Sequence, residues 1–457
     1  MREKLKSYIT QILLFFALSM HVHGQVPMLP VDSLFLHGIA GFYAQAEDAT
    51  RTIWPGMEAS PVCLYRVNGP AILYNHPDPP DSFVNVADRT YLGTQAELQL
   101  MGSTIAEING VITAIADYGY ETYMDEDQVY AVLFHEMHHA YQFGHVIDVE
   151  YDNPAVLLVY PEDPVNDAIK LFEQQLLYEM VFTADEDRFS ELLNLLYSSR
   201  KQREDIIGSV FVNYEKAVEN LEGPAFFCEY RFYNVYGSGA AEVKMNYNHK
   251  HFWSILNTPF YGRQELRKRH LAAGLAMCYI LDKFSDGWQE AFYAGGSHLY
   301  DFFMAQFNVQ QTDLPGLDAY LALSSFHTPQ LMEQRQARYQ AFIDQPGVQV
   351  VLQFGSFPQF RGFDPMNAEA ISDELIFHKT TLNLAKADNQ LFVANEDVVT
   401  TIQDQVWFVK QAVFFVDSKE DVWFEEGRVE VAVPGITLQW TAELISDEDG
   451  KMVFSCR

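Results

Sequence analysis

Apolar residues recur at helical spacing from Leu34 to Thr52, and Ile53-Trp54-Pro55-Gly56 ends the run with two residues that stop a helix. Short strand-like runs follow at Val62–Val67, Ala71–Tyr74 and Phe83–Val86, set apart by Asn68-Gly69-Pro70 and the Pro-rich loop His76–Asp81. Asn109–Ala116 reads as the next strand. A helical period then returns through Val129, Val132, Leu133, Phe134, Met137 and Ala140. Asp125 is its expected N-cap, with Gln128 three residues on, and Gly144 is a natural stop. An Asp- and Pro-rich loop, Asp148–Pro164, leads into long helical tracts. These run from Asp167 past Ser199 with a break around Thr183–Asp187, from Val210 to Tyr236, from Arg263 to Phe284, and beyond the turn Ser285–Trp288 through Phe307.

The texture changes at Gln345-Pro346-Gly347. Downstream, β-branched or alternating runs fill Val348–Phe354, Leu375–Leu384, Leu391–Ile402, Val406–Val416, Val422–Val433, Ile436–Leu444 and Met452–Ser455, punctuated by Glu426-Gly427 and Asp449-Gly450. The pattern predicts an α+β protein. A mostly helical domain with a small N-terminal sheet spans 25–344, and an all-β domain of the sandwich or small-barrel kind spans 345–457. Trp407, Trp423 and Trp440 in the β region suit either a core or a binding face. There is no repeat.

Charge narrows the partners. Of the 457 residues, 62 are acidic and 30 basic, a formal charge of −32. Such a surface repels phosphate, which argues against nucleic acid and anionic lipid. The N-terminus has the order of a secretory signal peptide: Arg2, Lys4 and Lys6, the apolar run Ile9–Met20, then a small residue, with cleavage expected near Gly24/Gln25. Residues 1–24 are thus an expected signal peptide, and the mature chain an exported one (periplasmic, extracellular or cell-surface). No later stretch is apolar and long enough for a transmembrane helix. Cys63, Cys228, Cys278 and Cys456 allow three disulfide pairings or none, and the spacing does not choose among them. Nor does the sequence fix an oligomeric state.

The chemistry concentrates in Leu133–Gln142, where His135-Glu136-Met137-His138-His139 reads H-E-x-x-H. On a helix, His135 and His139 lie one turn apart on one face and can grip a metal ion, zinc (Zn2+) by the motif's usual meaning. Glu136 then lies where a carboxylate can act as general base toward a water on the metal. His138 faces another side of the helix and reads as a contact behind the ligands or as plain packing, not as a ligand. His249 and His251 in His249-Lys250-His251 have the chemistry to bind a metal, but a polar loop is the commoner meaning of such a stretch. Tyr230, Tyr233 and His270 are candidate donors to a developing oxyanion.

A catalytic zinc takes three protein ligands, so a carboxylate must join the two histidines. Glu222-Gly223-Pro224-Ala225 followed by Phe226 and Phe227 resembles the E-G-x-A segment of gluzincin metallopeptidases. The order Trp54-Pro55-Gly56, H-E-x-x-H, Glu222-Gly223-Pro224-Ala225, and the Gly- and Ala-containing stretch Ala273–Phe284 with Gly287-Trp288 is similar to that of secreted, gluzincin-like peptidases. The resemblance covers roughly residues 34–307. It implies a zincin-like fold, Glu222 as third ligand, and small residues that let its helix approach the active-site helix. Three departures stand out. Glu222 follows His139 at longer range than in compact gluzincins, Pro224 requires the helix to start or kink near Glu222, and Phe226 stands where some gluzincins place an acidic partner. Glu229 returns to that face and is the candidate to orient a ligand histidine. Glu179 is the rival third ligand.

The expected function is hydrolysis of peptide bonds, with the strand near Gly110–Ala116 at a sheet edge holding the substrate backbone. The alternatives are hydrolysis of a non-peptide amide, or an inactive zincin-like scaffold whose β domain binds a glycan or a surface protein.

Overall fold

A computed structural model of the chain describes residues 27–119, 125–144, 155–259, 261–263, 265–364, 367–372, 374–403, 405–448 and 450–457. The expected signal peptide and its cleavage point lie outside them. The first helix is α1 (Pro30–Thr52), and six strands follow: β1 (Val62–Tyr65), β2 (Pro70–Tyr74), β3 (Val84–Ala87), β4 (Thr90–Thr94), β5 (Thr104–Ile108) and β6 (Val111–Asp117). The longer helices that follow are α2 (Glu126–Gly144), α3 (Pro164–Phe182), α4 (Glu186–Ile207), α5 (Ser209–Tyr236), α6 (Ala241–Tyr247), α7 (Leu266–Phe284), α8 (Trp288–Gly295) and α9 (Leu317–Ile343). A π-helical turn, Asn248–Trp253, continues from α6, and a sheet of 12 strands fills Val348–Cys456. The protein is α+β. Among the described residues no helix is long and apolar enough to cross a membrane.

The chain forms two compact units, each discontinuous in sequence. The first draws on Met1–Val149, Glu219–Ser254 and Gly274–Phe303, the second on Glu150–Val218, Ile255–Ala273 and Met304–Arg457. The change of texture at 344/345 marks where helices give way to strands, but it is not where the compact units part. In the second unit α9 packs on the strands: Phe342 meets Phe377 and Phe415, and the Arg338 guanidinium donates to Glu369 at 2.8–3.0 Å. Long-range packing of this kind joins segments that composition alone separates.

In the first unit the sheet runs β3-β4-β2-β1-β6-β5, with β1 and β6 parallel and the other pairs antiparallel. The strand expected at the edge, Gly110–Ala116, is therefore interior, and β5 is the edge. The reason is local. Asn109 and Gly110 hold positive φ of 46° and 80° and form the turn between β5 and β6. Asn-Gly is the pair such a tight hairpin selects, because both central residues need left-handed backbone. Asp32 anchors α1 to this sheet. Its fully buried carboxylate accepts from the Leu29 N–H, from the Arg66 guanidinium at 2.9 and 3.0 Å, and from the Tyr118 hydroxyl at 2.9 Å.

Two glycines set the close approach of α5 and α7. A β-carbon on Gly223 would stand 2.6 Å from the Gly274 Cα, and one on Gly274 would stand 2.5 Å from the Gly223 Cα and 2.7 Å from the Glu219 carbonyl oxygen. Gly223 of the Glu222 segment thus brings its helix against α7. The helix also does not start at Pro224: α5 runs unbroken from Ser209 to Tyr236 with Pro224 inside it.

The second unit carries a buried charge network between helices. Arg203 donates to Glu173 at 2.8 Å and to Glu215, Lys170 Nζ lies 3.3 Å from Glu215, and Tyr160 and His270 close on the same carboxylate. The strands fold over one apolar core that includes Val350, Leu352, Leu391, Phe414, Leu438 and Trp440. The long strand Ile436–Glu448 joins its halves, pairing with Asn389–Ala394 and Arg428–Val433 along its first part and with Lys451–Cys456 along its second. Trp440 is core, Trp423 is 49% exposed, and the Trp407 side chain lies outside what is described.

Gly274→Ala should push α5 and α7 apart and cost about 1–3 kcal/mol, the usual range for overpacking a tight contact. Denaturant unfolding compared with wild type measures this; an unchanged midpoint would mean the two backbones separate at no cost.

Candidate metal centre

The site begins with the start of α2. Asp125 Oδ1 accepts the Gln128 N–H at 3.0 Å, as the N-cap pattern required. From Gln128 to His138 every residue of the helix is buried, so the helix is a core element and carries its histidines into an interior. His135 and His139, one turn apart, bring their Nε2 atoms to 3.0 Å of each other. Glu222 on α5 adds its Oε2 at 3.7 Å from His135 Nε2 and 3.5 Å from His139 Nε2. Donors about 2.0–2.1 Å from one tetrahedral ion stand roughly 3.3 Å from each other, and the triangle has that size. Among the described residues His135, His139 and Glu222 form a group that could hold a metal ion.

The surroundings decide what the histidines present. His135 Nδ1 lies 3.0 Å from Glu229 Oε2, and His139 Nδ1 lies 2.7 Å from Gln142 Oε1. Gln142 shows its oxygen to His139 because its amide nitrogen donates to the Leu221 carbonyl at 3.0 Å. In their neutral forms both imidazoles therefore carry the proton on Nδ1 and turn an Nε2 lone pair toward Glu222 and toward each other. Two lone pairs and a carboxylate oxygen at such distances repel unless a cation joins them. Carboxylate or amide groups on the far side of ligand histidines are the usual means of fixing this tautomer and raising ligand basicity.

The titration of the groups follows. Burial alone would lower the His135 pKa, but the hydrogen bonds to Glu222 and Glu229 outweigh it and raise it to about 10. Burial would raise Glu229, but the His251 charge and the His135 and His251 hydrogen bonds bring it down to about 2, so it stays a carboxylate. Glu136 is raised, chiefly by burial; the neighbouring His135 and His139 oppose the rise, while Glu222 and Glu229 add to it. A raised carboxyl next to a metal triangle suits a group that must both take and give a proton.

The other candidates lie elsewhere or act indirectly. Glu179, the rival ligand, is held by the Arg188 guanidinium at 2.7 and 2.8 Å and is not in the metal group. His270 sits 3.6 Å from Glu215 in the second unit's charge network. Tyr230 is taken up by edge-on packing with Phe252, Trp253 and Tyr279, and Tyr233 by a ring contact with Tyr247. His138 is a packing residue behind the site: it meets the Tyr293 hydroxyl at 3.0 Å, Cys228 Sγ at 3.5 Å and the Trp54 ring. Cys63, Cys228, Cys278 and Cys456 are all buried free thiols.

Two residues of the site escaped the sequence. His251 belongs to the π-helical turn, not to a polar loop. Its ring stacks on Tyr247, and its Nε2 reaches Glu229 Oε1 at 2.7 Å. No spacing rule finds a residue placed by a π-turn. Gln142 was legible in principle, since it lies three residues beyond His139 on the same helix face. No protein-family model, curated protein or solved structure matches this chain.

Elemental analysis should find about one divalent metal ion per chain, strongly reduced in Glu222→Ala and retained in Glu179→Ala. The His135 proton adds a pH dependence. Without metal, the folded protein keeps that proton up to about pH 10, whereas an unfolded histidine releases it near 6.5. Its contribution to the stability of the metal-free protein is complete below pH 6.5 and is lost as pH rises through 10. A metal ion must displace it, so metal affinity should rise about tenfold per pH unit between 7 and 9, with roughly one proton released. Competition titrations against a chelator of known pH dependence measure the slope, and a flat profile would rule out the displacement.

Proposed function

We propose that the protein is an exported zinc-dependent peptidase. The observation that carries the reading is the partly buried triangle of His135 Nε2, His139 Nε2 and Glu222 Oε2, with Glu136 beside it on the same helix. Two imidazoles and one carboxylate are the donor set of open catalytic zinc sites, in which a fourth position is left for water or substrate. When bound, zinc would supply a Lewis acid that acidifies a water and polarises a carbonyl.

The chain's own residues supply the rest. Glu136, kept above the ordinary carboxyl range chiefly by burial, takes the proton of the attacking water and hands it to the leaving amine. Glu229 and Gln142 hold the two imidazoles in the tautomer that a metal requires. β5, at the edge of the six-stranded sheet, offers unpaired backbone groups to which an extended peptide can add as a further strand. The resemblance of the H-E-x-x-H and Glu222-Gly223-Pro224-Ala225 segments to gluzincins supports a zincin-like identity for the helical region. The order of charged, apolar and small residues at the N-terminus supports export.

Glu136→Gln should keep the metal and lower the rate of peptide cleavage by at least about 10²-fold, the low end of what a positioned general base contributes. Cleavage of a peptide library followed by mass spectrometry, beside metal analysis, measures both. Metal retained with cleavage unchanged would sink the mechanism.

A further inference from the structure

Pro224 lies inside α5, two residues after Glu222, and its consequences reach the metal triangle. Proline has no N–H, so the carbonyl four residues back, that of Asn220, loses its partner in the helix, and the ring crowds that turn. A helix interior normally rejects such a break, at a cost of about 3 kcal/mol. Here a side chain from α2 meets it. The Gln142 amide nitrogen donates to the Leu221 carbonyl at 3.0 Å and reaches the Asn220 carbonyl at 3.5 Å. The oxygen of the same amide accepts the His139 Nδ1 proton at 2.7 Å. Gln142 is 8% exposed. The turn that Gln142 grips is the one that ends in Glu222.

We infer that Gln142 is a positioning residue that ties the second histidine ligand to the carboxylate ligand, through the backbone turn loosened by Pro224. A neutral amide is the group the task requires. It must accept at one end, to fix the His139 tautomer, and donate at the other, to hold two carbonyls. A carboxylate can do only the first and an ammonium only the second. Leucine matches the size of glutamine and can do neither. The coupling is reciprocal: the same bond that turns His139 Nε2 inward also sets where α5 presents Glu222. The inference rests on the metal-site reading, and the test keeps the two apart.

The variants are Gln142→Leu, Gln142→Glu, Pro224→Ala and the double change Gln142→Leu with Pro224→Ala, all in the full mature chain and checked for folding by circular dichroism. Zinc affinity is measured by chelator competition, and ligand geometry by the visible absorption of the cobalt(II) form. Gln142→Leu should bind zinc about 10–100-fold more weakly, as is usual when a partner behind a ligand is lost, with a changed cobalt spectrum. Gln142→Glu keeps the acceptor but gives up the donor, and should also change the spectrum. Pro224→Ala restores the helical partner of Asn220, so Gln142→Leu should lose less affinity in that background than in wild type. A wild-type chain that binds no metal defeats the site itself. A wild-type chain that binds one ion, with Gln142→Leu binding it equally tightly and with the same spectrum, overturns the role of Gln142. Equal losses with and without Pro224, or a Gln142→Glu spectrum identical to wild type, overturn the bridge to α5.

Discussion

Three acceptor atoms held within 3.0–3.7 Å of one another in a protein interior are an electrostatic problem before they are a binding site. Each histidine's proton is committed on its far side, to Glu229 in one case and to Gln142 in the other. What remains at the centre is negative potential, and partial burial strengthens it because solvent screens it less. Only a cation relieves it: a proton, which is why the His135 pKa rises to about 10, or a metal ion that displaces that proton. The surrounding elements serve to keep this arrangement from relaxing. α2 is buried through the stretch that carries His135, α5 is pressed against α7, and Glu229 is itself held by His251.

α5 shows how local rules give way at such a place. It breaks two preferences of a good helix within three residues, with Gly223 and Pro224 directly after the ligand. Gly223 gives up helix propensity to let α5 and α7 touch backbone to backbone, which no larger residue allows. Pro224 gives up one hydrogen bond and frees the Asn220 carbonyl, which Gln142 reaches while it donates to the neighbouring Leu221 carbonyl. Natural sequences concentrate such inconsistencies where function demands a geometry that propensity does not supply.

The legible parts of the sequence were those set by short-range patterns. α2, its Asp125 cap, the H-E-x-x-H pair and the strand-rich C-terminal region follow from spacing and composition. Glu222 was reached by resemblance and Glu229 by counting turns from it, and both lie at the site. The failures are long-range or geometrically unusual. β5 has no clean alternation, and its hairpin signal at Asn109-Gly110 was absorbed into the neighbouring strand. His251 depends on a π-turn, and His270 on a charge network contributed by several helices. The division into compact units depends on contacts between segments far apart in sequence, and hydrophobic period carries no information about those.

The second unit's charge network offers a control for the functional reading, since burial and perturbed titration mark both places. Around Arg203 the opposite charges meet within the protein: a guanidinium donates to Glu173 and Glu215, and Lys170 Nζ lies 3.3 Å from Glu215. Such a cluster sets cations and anions of the protein against each other, and removing one partner costs several kcal/mol. At His135, His139 and Glu222 the donors stand behind the ring and the acceptors face inward, so the balancing charge is not a side chain of the triangle. That difference in sign pattern, not burial or a shifted pKa, is what separates a structural ion cluster from a group that could hold a cation. It also explains why His270, buried among charges, belongs to the first kind, and His135, equally buried, to the second.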